Sequence, residues 1–168
     1  MENIILIGFM GAGKSTLGKY LAKERKCRFI DTDLLIEAEQ GRQIKDIFAS
    51  EGEEFFRQLE TGCLKTLLEQ NETAVIAVGG GRPMREENQK LMKQLGKVVY
   101  LKARTETLVA RLTGDTKRPM LQGADLKERI ITLMEIREDT YKNLADLEYS
   151  TDDKRIEEAV REINESIL

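Results

Sequence analysis

The residues with the clearest chemical purpose stand near the start of the chain. Gly8-Phe9-Met10-Gly11-Ala12-Gly13-Lys14-Ser15-Thr16 directly follows the apolar run Ile4-Ile5-Leu6-Ile7. The G-x-x-x-x-G-K-[ST] spacing acquires meaning when a strand precedes it and a helix follows, and both flanks have that character here. Glycines let the backbone turn so that several N–H groups point inward, and the helix adds the positive end of its dipole, which makes a cage for a polyphosphate. Gly11, Ala12, Gly13, Lys14, Ser15 and Thr16 are therefore the candidate nucleotide-binding residues. Lys14 would reach the β- and γ-phosphates, and Ser15 would ligate the accompanying Mg²⁺. The plainer alternative is a glycine turn that merely joins strand to helix.

A second set of residues could hold an acceptor. Asp31 and Asp33 close the short apolar segment Cys27-Arg28-Phe29-Ile30, and ligands of open parallel sheets collect beyond the carboxyl ends of strands. One aspartate could be a helix cap before Leu34, but strand alternation would send a pair at i and i+2 to the same side. Gly79-Gly80-Gly81 ends the apolar run Ala74 to Val78, where a flexible turn competes with close approach of a ligand to bare backbone. Arg57 and Glu60 lie three apart on a helix, as a functional or a merely superficial ion pair. Arg137 falls on the inward stripe formed by Leu126, Ile130, Leu133, Met134 and Tyr141, so it needs either a structural carboxylate or an anionic ligand. Arg111 ends a helix. Arg118, next to Pro119 in a polar stretch, could be delivered by a mobile lid.

The elements that must position these groups follow from hydrophobic spacing. Helices are expected over Lys14 to Lys26, with Leu17, Tyr20 and Leu21 inward, and over Gly41 to Ser50, Glu53 to about Gln70, residues 86 to 95, from Thr105, and over Leu126 to Leu144. Strands are expected at Ile4 to Ile7, Cys27 to Ile30, Ala74 to Val78, Lys97 to Ala103 and Asp146 to Ser150, with Thr151-Asp152-Asp153 capping a last helix. The pattern is one α/β domain over residues 1–168, with a central, mainly parallel five-stranded sheet between helical layers.

Composition narrows the function classes. At 168 residues, 40% hydrophobic and 34% charged, the chain reads as a globular protein with a strongly solvated surface. A net charge of −3 argues against general nucleic-acid binding, and no apolar run approaches a membrane span. With no room for a signal peptide before the first strand, a cytoplasmic location is expected. Histidine is absent and Cys27 and Cys63 lack C-x-x-C spacing, so neither a zinc site nor a disulfide framework is indicated.

Together these residues describe a site for MgATP beside a small hydroxylated acid, its carboxylate gripped by guanidinium groups. The chain closely resembles the shikimate kinases. The resemblance rests on residues 8 to 16, Asp31-Thr-Asp33, Gly52-Glu-x-x-Phe-Arg57-x-x-Glu60, Gly79-Gly80-Gly81, Glu87-Asn88, Arg118-Pro119 and Arg137-x-x-x-Tyr141, in family order over nearly the whole chain. It implies a P-loop kinase, three-layer α/β/α, with a mobile lid at about 112–124 and a substrate-binding helical region at about 33–60. It further implies transfer of the γ-phosphate of ATP to the 3-hydroxyl of shikimate, in chorismate and aromatic amino acid biosynthesis, by a monomer.

By the same resemblance, Lys14, Asp33 and Arg118 are catalytic. Asp33, Arg57, Gly79, Gly80, Gly81 and Arg137 bind shikimate. Ser15 and Asp31 serve Mg²⁺, while Arg111, Arg118 and the loop around Asp152 lie on the nucleotide side. Met120 and Val78 depart from the family's usual leucine and threonine. The rival readings are a related small-molecule P-loop kinase, such as a gluconate or nucleoside monophosphate kinase, and a non-catalytic regulator on the same fold.

Overall fold

The structure is a computed structural model and describes residues 2–113 and 125–167. Five strands, β1 (Asn3–Ile7), β2 (Arg28–Asp31), β3 (Ala74–Ala77), β4 (Gly96–Lys102) and β5 (Leu147–Ser150), form one sheet in the order β2-β3-β1-β4-β5. Every pairing is parallel, so the expected mainly parallel sheet is wholly so. Among the described residues the helices are α1 (Lys14–Glu24), α2 (Thr32–Gln40), α3 (Ile44–Glu51), α4 (Glu53–Gln70), α5 (Glu86–Leu95), α6 (Thr105–Leu112), α7 (Leu126–Leu144) and α8 (Ile156–Ile167). A 3₁₀ turn spans Arg82–Met84.

Strand alternation divides the interior into two cores. Ile4 and Leu6 of β1, with Val99 and Leu101 of β4, join Leu17, Leu21, Leu108, Ile130 and Ile163 on one face. Ile5 and Ile7, with Val98 and Tyr100, join Phe56, Leu64, Met92 and Leu144 on the other. Burial on both faces explains why β1 and β3 read as continuous apolar runs. Helix α7 serves both cores: Ile130 and Leu133 pack in the first, Tyr141 and Leu144 in the second, and Arg137 falls between them.

Two expectations about helix faces need correction. Tyr20 is 48% exposed, because the inward stripe of α1 is Leu17, Gly18, Leu21 and Ala22. A Cβ on Gly18 would stand 2.4 Å from the Phe29 ring, so the helix turns its barest residue toward β2 and Tyr20 swings to the flank. Thr151-Asp152-Asp153 does not cap α8, which begins at Ile156. Asp152 instead accepts from the Arg104 amide at 3.0 Å and from the Thr107 hydroxyl at 2.7 Å, satisfying the start of α6. Cys63 is buried and Cys27 partly so, both as free thiols, and burial pushes the Cys63 thiol up. No helix among the described residues is long and apolar enough to cross a membrane.

Candidate active site

The carboxyl ends of β1, β2 and β3 open into a single cavity of about 640 Å³. Gly11, Ala12, Gly13, Lys14, Ser15, Thr16, Asp31, Asp33, Arg57, Gly79, Gly80, Gly81, Arg111 and Arg137 all line it. Arg118 and most of the expected lid lie outside the described residues.

At one end is the glycine-rich turn. Gly11 (φ 80°) and Gly13 (φ 100°) occupy left-handed conformations that only glycine adopts without strain, and they carry the chain from β1 into α1. Lys14 Nζ donates to the carbonyls of Gly8 (2.7 Å) and Phe9 (3.0 Å), which holds its charge across the mouth of the turn. Arg111 Nη1 donates to the Gly11 carbonyl at 2.8 Å. Thr151, Lys154, Arg155 and Ile156 complete this end of the cavity, whereas Asp152 is absent from its lining.

Asp31 has two tasks. Its Oδ1 accepts from the amides of Asp33 (3.0 Å) and Leu34 (3.2 Å), so it is the N-cap of α2, while Oδ2 accepts from the Ser15 hydroxyl at 2.6 Å. The strand-alternation expectation for the pair therefore fails. Asp33 is a first-turn residue of α2, and both carboxylates reach the cavity because the helix starts at the strand's end. The Ser15 and Asp31 oxygens are hard donors suited to a small divalent cation that keeps waters and phosphate oxygens as its other ligands. Among the described residues no group of three or more His, Cys, Asp or Glu gathers that could hold a metal ion.

The other end is organised by the triglycine. A Cβ on Gly79 would lie 2.8 Å from Asp33 Oδ1, one on Gly80 would lie 2.9 Å from Arg137 Nη1, and one on Gly81 would lie 2.8 Å from Arg57 Nη1. Three successive bare residues thus make room for three different charged side chains. Burial raises the Asp33 carboxyl to about 6, against the opposing pull of Arg82. Its side chain keeps 38% of its surface, yet Oδ1 is buried and has no hydrogen-bond partner among the described residues. Arg137 is 3% exposed, its guanidinium lies over Phe9 at 5.7 Å, and Nη1 likewise has no partner among the described residues. The Tyr141 hydroxyl donates to the Gly80 carbonyl, and burial pushes its pKa to about 12.

Arg57 rests on Glu60, Nη1 to Oε1 at 2.6 Å, and Glu60 is 1% exposed, which excludes a superficial ion pair. Behind it stands Arg82, which is 0% exposed and went unnoticed in the sequence. Its Nε donates to Glu60 Oε2 at 3.4 Å and its Nη2 lies 3.9 Å from Asp33 Oδ1. Asn88 anchors that turn by donating to the Arg82 carbonyl (2.9 Å) and accepting from Thr61 (2.7 Å). The available signal was positional: Arg82 follows the triglycine directly.

The family model for shikimate kinase matches residues 10–168. The chain belongs to the shikimate kinase family. A shikimate kinase of Moorella thermoacetica is 42% identical over 98% of this chain and 94% of its own length, and one of Francisella tularensis subsp. holarctica is 42% identical over 97% and 93%. Among solved structures, shikimate kinase from Acinetobacter baumannii in complex with shikimate superposes with a TM-score of 0.95 at 35% identity, covering 99% of this chain and 93% of that one. The Bacteroides thetaiotaomicron enzyme gives 0.90 at 36%, covering 99% and 98%. A gluconokinase from Sinorhizobium meliloti, at 18% identity and a TM-score of 0.56, shares the fold alone.

Proposed function

We propose that this chain is a shikimate kinase that moves the γ-phosphoryl of ATP to the 3-hydroxyl of shikimate, giving shikimate 3-phosphate and ADP on the route to chorismate and aromatic amino acids. The observation that carries this reading is the triglycine. It gathers an aspartate and two arginines at one end of a cavity whose other end is a phosphate-binding turn.

Arg57 and Arg137 bind the acceptor's carboxylate, for which a planar guanidinium is the best-matched partner. The buried, unpartnered Nη1 of Arg137 fits that use. Asp33 orients the acceptor hydroxyls and takes the proton from the attacking one. Backbone amides of Gly11 to Ser15 hold the phosphates, and Lys14 neutralises charge as the phosphoryl moves. Ser15 and Asp31 would hold Mg²⁺, partly through water, and Mg²⁺ would supply further neutralisation of phosphate charge when bound. Arg111, with the neighbouring Lys154 and Arg155, flanks the nucleotide. Arg118, in the expected lid at about 112–124, neutralises charge on the transferring phosphoryl, and the region at about 33–60 binds the acceptor. The chain acts as one domain, monomeric and cytoplasmic, with no nucleic-acid or membrane partner.

ADP release measured by a coupled assay with MgATP tests the reading, comparing shikimate with gluconate, nucleoside monophosphates and no acceptor. Release that depends on shikimate is expected. Equal or faster release with another acceptor would overturn the assignment, and no release with any acceptor from folded, ATP-binding protein would point to a regulator.

A further inference from the structure

Glu60 creates an electrostatic problem for an anion clamp. Its carboxylate is almost wholly buried and stands 2.6 Å from Arg57 Nη1. An isolated Arg57–Glu60 pair is neutral, and a neutral pair attracts a second carboxylate weakly. Glu53 also reaches Arg57, at 3.3 Å, but its side chain is 56% exposed and solvent screens it. The structure answers with a second guanidinium. Glu60 gives one oxygen to each arginine, Oε1 to Arg57 and Oε2 to Arg82.

We infer that Arg82, which does not line the cavity, is a positioning residue that makes the acceptor end selective for anions by compensating the charge of Glu60 from behind. Arg57, Arg82 and Arg137 stand against Asp33 and Glu60, so these five side chains together carry one net positive charge and carry none without Arg82, while Glu37, which also lines the cavity, accepts from the Ile44 amide. Nη2 of Arg82 also lies 3.9 Å from Asp33 Oδ1, so Glu60 is not the only carboxylate that its charge serves. Its anchoring is equally specific: the backbone carbonyl of Arg82 is held by Asn88, and Asn88 by Thr61 of α4, the helix that carries Arg57 and Glu60. The turn after the triglycine and the clamp helix are therefore joined through Asn88.

The inference rests on shikimate being the acceptor, and its test uses shikimate alongside its neutral carboxamide. In the parent protein the acid is expected to bind much more tightly than the amide. Arg82→Met is expected to raise the dissociation constant and KM for shikimate roughly ten- to hundredfold while moving those for the amide and for ATP little. Arg82→Lys, which keeps the charge, restores most of the preference for the acid. Because Arg82→Met leaves Glu60 buried with less compensation and can fail to fold, the double variant Glu60→Gln/Arg82→Met supplies a second test. It removes one charge of each sign, so the acid preference returns toward the parent value. A purely structural Arg82 gives the opposite pattern: acid and amide weaken together in Arg82→Met, and the double variant stays impaired for both. That pattern overturns the inference while leaving shikimate as acceptor, whereas a parent protein that binds neither compound overturns both.

Discussion

Gly79 and Asp33 are so close that a methyl group on the glycine would stand 2.8 Å from the carboxylate Oδ1. No left-handed backbone angle accounts for the glycine, since the triglycine residues are not among the positive-φ positions. Space for Asp33 is the reason. The obstructing atom is the end of a movable side chain, so Gly79→Ala is expected to fold and bind ATP normally while displacing the carboxylate. Displacement on the scale of 1 Å lowers kcat on the order of 10²-fold. Steady-state kinetics with a thermal melt check this, and a variant with parent kcat would remove the spatial argument.

Asp33 titrates where its effect can be followed. Its carboxyl is raised to about 6 by burial, so kcat/KM for the acceptor should rise as pH rises through about 6, when the base becomes ionised. Stability runs the other way. A raised carboxyl pKa contributes stability that is fully present below the unfolded value near 3.8 and is lost as pH rises through 6. Asp33→Asn should therefore nearly abolish transfer, spare ATP binding, and melt above the parent protein at pH 8 but not at pH 4. Melting curves at the two pH values, with activity at pH 8, decide it.

Asp31 joins a helix cap to a hydroxyl contact, and the two can be separated. Asparagine caps as well as aspartate, whereas alanine loses about 1 kcal/mol at such a position. Asp31→Asn should keep the parent melting temperature and need more Mg²⁺ for half-maximal rate, while Asp31→Ala should lose both. A Mg²⁺ titration beside a thermal melt separates these outcomes.

Arg137→Ala should raise the KM for shikimate by about ten- to hundredfold with the KM for ATP unchanged. An unchanged shikimate KM would return this arginine to a structural role between the two cores.

The layers of the fold were legible because β1 and β3 are continuous apolar runs and α4 and α7 have clean helical stripes whose bounds match the expected ones. The inward direction of Arg137 was legible for the same reason. Other features were not, among them the placing of Asp33 in the first turn of α2 rather than on a strand. Periodicity alone chose Tyr20 over Gly18, because a glycine's value in close packing with Phe29 has no hydrophobic signature. Asp152 looks like a cap for the helix that follows it, but its partners are Arg104 and Thr107, far away in sequence. Arg82 sits in a turn too short for any periodicity, and its contacts with Glu60 and Asp33, like the bond from Asn88 to its carbonyl, are made by the fold rather than by local sequence.

Product identification tests most directly whether this cavity transfers phosphoryl from ATP to shikimate. Purified protein is incubated with MgATP and shikimate, and ADP is quantified while the products are resolved by mass and phosphorus NMR spectra. The expected result is one shikimate 3-phosphate for each ADP formed, with no such product from gluconate. ADP formed without phosphorylated shikimate, or phosphate found on a different hydroxyl, would contradict the account.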